Sequence, residues 1–296
     1  MKKIVVLLMS CIIMVGCTKE QNVPTEPVVI EEVSVIKGGA RPGVFSVSST
    51  KKVQFSMGNL QYNINTGEWR FASCQSATVG KDNEKIQTGD VEWMDMFLWG
   101  ASGYGNTSPT NGYLEATNIS NTMYDWGVYN KISNGGNTVN TWRTLTATEW
   151  DYIINKRYNC FALFSRANVE GVEGWIILPD EWEKPDGIDF VQYVEYKSNM
   201  LQKMQSSSTI YNEEQWDKLE KSGAVFLPLT GYLNNMTIGY KLYNDVQYWT
   251  STYVSDYTRA YAFTLNTKLA LGQKSMDCIS NVTRRIYLPV RLVKNH

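Results

Sequence analysis

Phe45 and Val47, then Val53 and Phe55, set apolar side chains at alternate positions on either side of the polar run SSTKK. A period of two turns one face of each segment toward a core, so the stretch predicts a β-hairpin. Glu68-Trp69-Arg70-Phe71 predicts a further short strand, and AVFLPLTGY, after Gly223, a buried one. YWTSTYV, AYAFTL and YLPVRLV predict three more toward the C-terminus. Helix signals occur at two places. In TATEW, Thr146 precedes Glu149 by three residues, the spacing of a capping box: each side chain accepts a hydrogen bond from the other's backbone N–H. Leu145 and Trp150 hold the flanking staple positions, which gives Glu149 an architectural task worth about 1 kcal/mol. Tyr211, Asn212, Gln215 and Trp216 repeat the arrangement, and Gly223 marks the C-terminal stop. Between Thr88 and Asn140 no period is sustained; a loop of that length is functional or packed on itself. Short strands, two main helices and long irregular loops predict an α+β domain.

The N-terminus has another pattern. Lys2 and Lys3 precede an apolar run from Ile4 to Val15, as in a secretory signal. Twelve helical residues rise about 18 Å against roughly 30 Å of hydrocarbon, too little to span a bilayer. Met14-Val15-Gly16-Cys17 resembles the bacterial lipobox, which implies cleavage after residue 16 and lipidation of Cys17. Residues 17–43, rich in prolines, acids and glycines, read as the lipidated cysteine and a flexible tether, and 44–296 as a single domain. Cleavage would leave 26 basic against 29 acidic side chains, a net charge of −3, with no cationic surplus for a nucleic-acid partner. Cys74, Cys160 and Cys278 can form at most one disulfide, so the core is expected to stand on packing.

Catalytic signals are sparse. The sole histidine is His296, which disfavours Ser/His and Cys/His nucleophilic pairs, and the sequence contains no CxxC or HxxxH spacing for a metal. In PDEWEKPDGID, the acids Asp180, Glu181, Glu183, Asp186 and Asp189 fail the EF-hand spacing and read as a solvated acidic loop. No cofactor is expected. The ten Trp and eighteen Tyr carry more information: interspersed with Asn, Ser, Thr and Gly, they supply flat apolar faces beside adaptable hydrogen bonders. Trp69, Trp142, Trp150 and Trp216 hold strand or staple positions and are expected in the core, whereas Tyr104, Tyr253 and Tyr257 have loop-like neighbours that suit exposure or packing equally.

WRTLTATEW resembles the helix entry of the formylglycine-generating (sulfatase-modifying factor) enzymes, with Arg143, Leu145, Thr146 and Trp150 at matching positions. Tyr248-Trp249-Thr250-Ser251-Thr252 and Pro289-Val290-Arg291-Leu292-Val293 resemble two strands of the same C-type-lectin-like fold. Of that family's reactive cysteine pair only Cys278 has a counterpart, so its copper-dependent oxidation is not implied. A broader resemblance is to the Fibrobacter major paralogous domain family of bacterial lipoproteins. FSVSSTKKVQFSMGNLQY, WGASGY, YDWGVYNKISNGGNTVNTWRTLT, GWIILPDEW, KLEKSGAVFLPLTGY and YWTST follow in that order over nearly the whole domain. It implies a C-type-lectin-like fold and an outer-membrane lipoprotein of a Gram-negative bacterium, with display at the cell surface as the further expectation. In lectin-fold surface proteins the segment after the W-[ST]-S-T strand forms the ligand face. Here that segment supplies Tyr253, Ser255, Asp256, Tyr257, Arg259 and Tyr261, to which Tyr104 is added as a loop aromatic. The expected function is non-enzymatic recognition of a glycan or protein. The alternatives are a polysaccharide hydrolase whose loop carboxylates meet in a cleft, and a structural component of a surface assembly.

Overall fold

The computed structural model describes residues 38–115, 117–192, 208–239, 246–265 and 277–296. The expected signal, Cys17 and the tether as far as residue 37 lie outside the described residues. Strands β1 (Phe45–Ser46), β2 (Lys52–Phe55), β3 (Leu60–Asn63), β4 (Trp69–Phe71) and β5 (Trp93–Met94) lead to the short helix α1 (Trp126–Tyr129). Strand β6 (Arg143–Thr144) and helix α2 (Ala147–Asn155) follow, then the pair β7 (Phe164–Val169) and β8 (Val172–Ile177). Next come β9 (Thr209–Tyr211), helix α3 (Glu213–Lys221), β10 (Val225–Pro228), β11 (Tyr232–Asn234) and β12 (Thr237–Gly239). The chain closes with β13 (Val246–Tyr253), β14 (Arg259–Leu265), β15 (Ile279–Thr283) and β16 (Leu292–Asn295). These mixed elements make an α+β architecture.

The expected first hairpin forms, with Phe45 opposite Val53, and joins a sheet of order β1-β2-β16-β6. Strand β16 pairs with both β2 and β6, so the C-terminal segment ties the first hairpin to the entrance of α2. A second sheet runs β10-β8-β7-β9, its β7–β9 pair parallel, and a third runs β13-β14-β15. Strand alternation makes this third sheet a partition between two cores. Val246, Tyr248, Phe263 and Leu265 point into a cluster with Phe45, Phe55 and Trp150. Trp249, Ala260 and Ala262 point into another, with Phe97, Trp99, Trp126 and Trp142. Trp150 stacks on Phe263 with ring centroids 3.9 Å apart and planes 10° from parallel, fixing α2 against β14.

Both capping boxes form, with reciprocal bonds at Thr146/Glu149 and Asn212/Gln215, and the staple residues Leu145, Trp150, Tyr211 and Trp216 are buried. Gly223 ends α3 at φ +95°, where a Cβ would come within 2.7 Å of the Gly43 Cα. Positive φ and backbone-to-backbone contact both require glycine there.

Two expectations need correction. The packed chain begins before residue 44: Ala40 bridges to Ser56, the Arg41 N–H donates to Phe55 O, and the buried Arg41 guanidinium pairs with Glu220 at 2.6 Å. A cation so held belongs to the fold rather than to a tether. YLPVRLV is a strand only from Leu292; Leu288 before it makes an isolated bridge to Phe97, and Tyr287 one to Leu233. The long stretch 88–140 is packed, one of the two outcomes expected of it: Met94, Met96, Phe97, Trp99, Ile119 and Trp126 are fully buried.

Candidate functional site

The YWTST segment is architectural residue by residue. The Trp249 indole N–H donates to Phe97 O at 2.7 Å, the Thr250 hydroxyl to Tyr261 O at 2.8 Å and the Ser251 hydroxyl to Thr144 O at 3.3 Å. Thr252 Oγ1 accepts from the Ala147 N–H at 3.0 Å, a further cap for α2. The β13–β14 register shifts between Trp249 and Tyr253, and the released backbone pairs elsewhere: Ser251 N donates to Leu145 O, and Ile119 N donates to Ser251 O. A bulge of this kind re-aims the end of a strand. Here it carries the β13–β14 turn to the side of the long loop, where Tyr253 N donates to the Asn118 side chain at 3.0 Å.

At that turn Ser255, Asp256, Tyr257 and Arg259 are exposed, Tyr257 to 69%. The Asp256 carboxylate accepts from the Thr258 N–H at 2.8 Å and its hydroxyl at 2.7 Å; these bonds to the charged form hold its pKa below the ordinary carboxylate value. Arg284 fixes the turn from beneath. Its guanidinium donates to Arg259 O at 2.8 Å, to Glu115 O at 2.8 Å and to Tyr113 O at 3.3 Å, and lies 4.2 Å above the Trp99 ring. One buried fork thus joins the turn to residues 113–115, between whose carbonyls Leu114 stands 68% exposed. Neither Arg284 nor Leu114 was predicted as a site residue, and no local spacing identifies a clamp that spans 169 residues.

The expected cluster is only partly assembled. Tyr253 pairs with Ala260 and packs, half-buried, against the first core, whereas Tyr261 lies one residue further along β14 opposite Asn281 and so faces the other side of the sheet. Tyr253, Tyr257 and Tyr261 therefore do not share one surface. Tyr104, 41% exposed, sits edge-on to Tyr124 and Tyr129, with centroids 5.1 and 5.6 Å away, and Tyr124 in turn packs 3.9 Å from Tyr113.

The acids with the firmest contacts are committed to structure. Glu149 receives two bonds of 2.8 Å from the Arg143 fork and one of 2.8 Å from the Thr146 N–H, so its cap is also an ion pair. Asp125 caps α1 through Gly127 N and receives both the N–H and hydroxyl of Thr144; burial nevertheless raises its pKa to about 6, against those donors. Asp95, equally buried and likewise raised, accepts from Val79 N and the Asn83 side chain. Glu181, Glu183, Asp186 and Asp189 are exposed as expected of a solvated loop, but Asp180 is not part of one. It accepts from the Ser46 N–H and hydroxyl and from Arg157, whose burial lowers its own pKa to about 10. The Cys278 thiol, buried near Asp151, has its pKa pushed up to about 12, and a thiol kept protonated is a poor nucleophile. No group of three or more His, Cys, Asp or Glu side chains arranged to hold a metal occurs among the described residues. No helix among them is long and apolar enough to cross a membrane.

Compared with protein-family models, with curated proteins and with solved structures, the chain matches none.

Proposed function

We propose that the protein is a lipid-anchored extracytoplasmic binding module. In this reading it is a major-paralogous-domain lipoprotein with a C-type-lectin-like fold, related to the formylglycine-generating enzymes, held in the outer membrane of a Gram-negative bacterium through Cys17. It recognises a glycan or a protein without turning it over, through Tyr257, Asp256 and Arg259 together with Leu114 and the Tyr104 ring cluster. One observation carries the reading: an aromatic side chain 69% exposed stands on a turn whose backbone is pinned by the buried Arg284. A rigid support lowers the ordering cost of binding, and tyrosine offers stacking area and a hydroxyl while giving up few rotamers. The engagement of Asp95, Asp125, Glu149 and Asp180 with backbone and arginine donors supports binding rather than hydrolysis.

Arrays of glycans and of surface proteins, probed with the wild-type protein and with Tyr257→Ala, test the face. A ligand retained by the wild type and lost at least about tenfold by a variant that melts normally supports it, equivalent to 1.4 kcal/mol. Undiminished binding by the variant refutes it. Fatty-acid-analogue labelling of wild type and Cys17→Ser tests the anchor, which fails if label persists without the thiol.

A further inference from the structure

A groove of about 700 Å³ opens on another part of the surface, where the β1–β2 turn, the long loop, α2 and the C-terminal strand converge. Its cationic side chains are Lys51, Lys52, Arg143 and Lys156, its one acidic side chain is Glu149, and His296 lines it as well. Of these, Lys51 and Lys52 are the exposed cations least balanced by a neighbouring carboxylate. Glu149 does not neutralise the lysines, because both its oxygens are taken by Arg143 at 2.8 Å. Lys156 pairs with Asp151 at 2.6 Å, and Lys52 is 4.0 Å from Asp180, the outer limit of an ion pair. For Lys51 no ion pair occurs among the described residues. The remaining walls are neutral and hydrogen-bonding: Ser120, Asn121, Thr148 and Tyr152 among them. The floor is rigid, since the Arg143 Nε also donates to the Asn295 side chain at 2.9 Å.

We infer that this groove is a second binding site, for an acidic oligosaccharide. Exposed ammonium groups attract carboxylates from solution. Hydroxyl and amide side chains that both donate and accept suit the ring hydroxyls of a sugar, and the volume falls in the range that encloses an oligosaccharide-sized ligand rather than a lone anion. The charged groups of such a chain would meet Lys51 and Lys52 on one wall. The site is independent of the Tyr257 face, so either reading stands if the other fails.

The test is titration of the full-length protein with tetragalacturonate, with its uncharged methyl ester, and with phosphatidylglycerol vesicles. Tetragalacturonate is expected to bind with Kd below about 1 mM and to weaken at least about tenfold between low and 0.5 M salt, as screened charge pairs do. The methyl ester and Lys51→Glu/Lys52→Glu should each bind at least about tenfold more weakly. Both lysines are exposed and the turn is held by Ser48 Oγ on the backbone N–H groups of Thr50 and Lys51, so the double variant should melt normally. If it does not, amide shifts in the wild type on adding tetragalacturonate decide: changes centred on Ser120, Thr148 and Lys156 uphold the site, and changes elsewhere overturn it. Equal binding of the methyl ester, no binding at all, or lysine-dependent capture by vesicles without tetragalacturonate binding each overturns the inference.

Discussion

Glu149→Gln separates the two tasks that the structure assigns to this carboxylate. As a cap alone, glutamine is a near-neutral replacement, because its amide oxygen still accepts from the Thr146 N–H. The ion pair changes the expectation. Glu149 and Arg143 are only 15% and 13% exposed at their side chains, and the amide would turn an N–H toward a guanidinium that now meets two carboxylate oxygens. Exposed pairs are worth about 0–1 kcal/mol and the loss of one partner of a fully buried pair about 3–5; a pair at this exposure should cost about 2. Thr146→Ala removes one acceptor, for the Glu149 N–H at 3.2 Å, and should cost about 1 kcal/mol. Urea unfolding of wild type, Glu149→Gln, Thr146→Ala, Arg143→Met and the Arg143→Met/Glu149→Gln double variant closes the cycle. Glu149→Gln should be the costlier of the first two, and its penalty should shrink by about 1–2 kcal/mol once Arg143 is gone. A penalty below about 0.5 kcal/mol, or one independent of Arg143, would refute the ion-pair argument and return Glu149 to a plain cap.

Asp125 should give stability a pH dependence. Its folded pKa of about 6 exceeds the ordinary value of 3.8, so the folded state binds its proton more tightly. Its contribution is complete below the unfolded pKa and is lost as pH rises through about 6. The full span is about 3 kcal/mol. Unfolding free energies of wild type and Asp125→Asn between pH 3.5 and 7 should diverge by an amount of that order, and parallel curves would contradict the assignment. Gly223→Ala should destabilise by about 1–3 kcal/mol, combining positive φ with contact on Gly43, and an unchanged urea midpoint would count against that packing. Tyr257→Ala should leave stability within about 0.5 kcal/mol, whereas Tyr253→Ala should cost about 1–3 because its ring packs on the first core. Equal thermal shifts for the two would contradict their placement on different surroundings.

The parts of the fold legible in the sequence are those decided within a few residues. The Thr146 and Asn212 boxes, the Phe45 to Phe55 hairpin and the stop at Gly223 each depend on side chains that meet their partners locally, or on a period of two. The β7–β8 hairpin escaped for a local reason as well. Its two-residue turn is Glu170-Gly171, both at positive φ, and glutamate conceals the Asn-Gly or Asp-Gly signature that such turns commonly display. Strand β15, with Asn281 and Thr283 facing outward at the sheet edge, lacks the apolar run by which a buried strand is recognised.

The candidate face was legible in composition and not in geometry. A tyrosine-rich turn after YWTST can be seen in the sequence, but side of sheet is set by register, and the shift between Trp249 and Tyr253 determines which residues share a surface. Tyr261, two positions beyond Arg259, follows the strand alternation to the side opposite Ala260, while Tyr253 stays with Ala260. What holds the remaining turn is Arg284, which reaches carbonyls of the turn and of the long loop at once. Its charge is buried, and burial lowers its pKa, so the clamp trades desolvation for directed hydrogen bonds to carbonyl oxygens. Such a trade is sensible where position matters more than net stability. Arg284→Lys keeps the charge and loses the fork, so it should loosen residues 113–115 and 255–259 together. That coupling, read by amide hydrogen exchange, ties the exposed surface to the buried residue that shapes it.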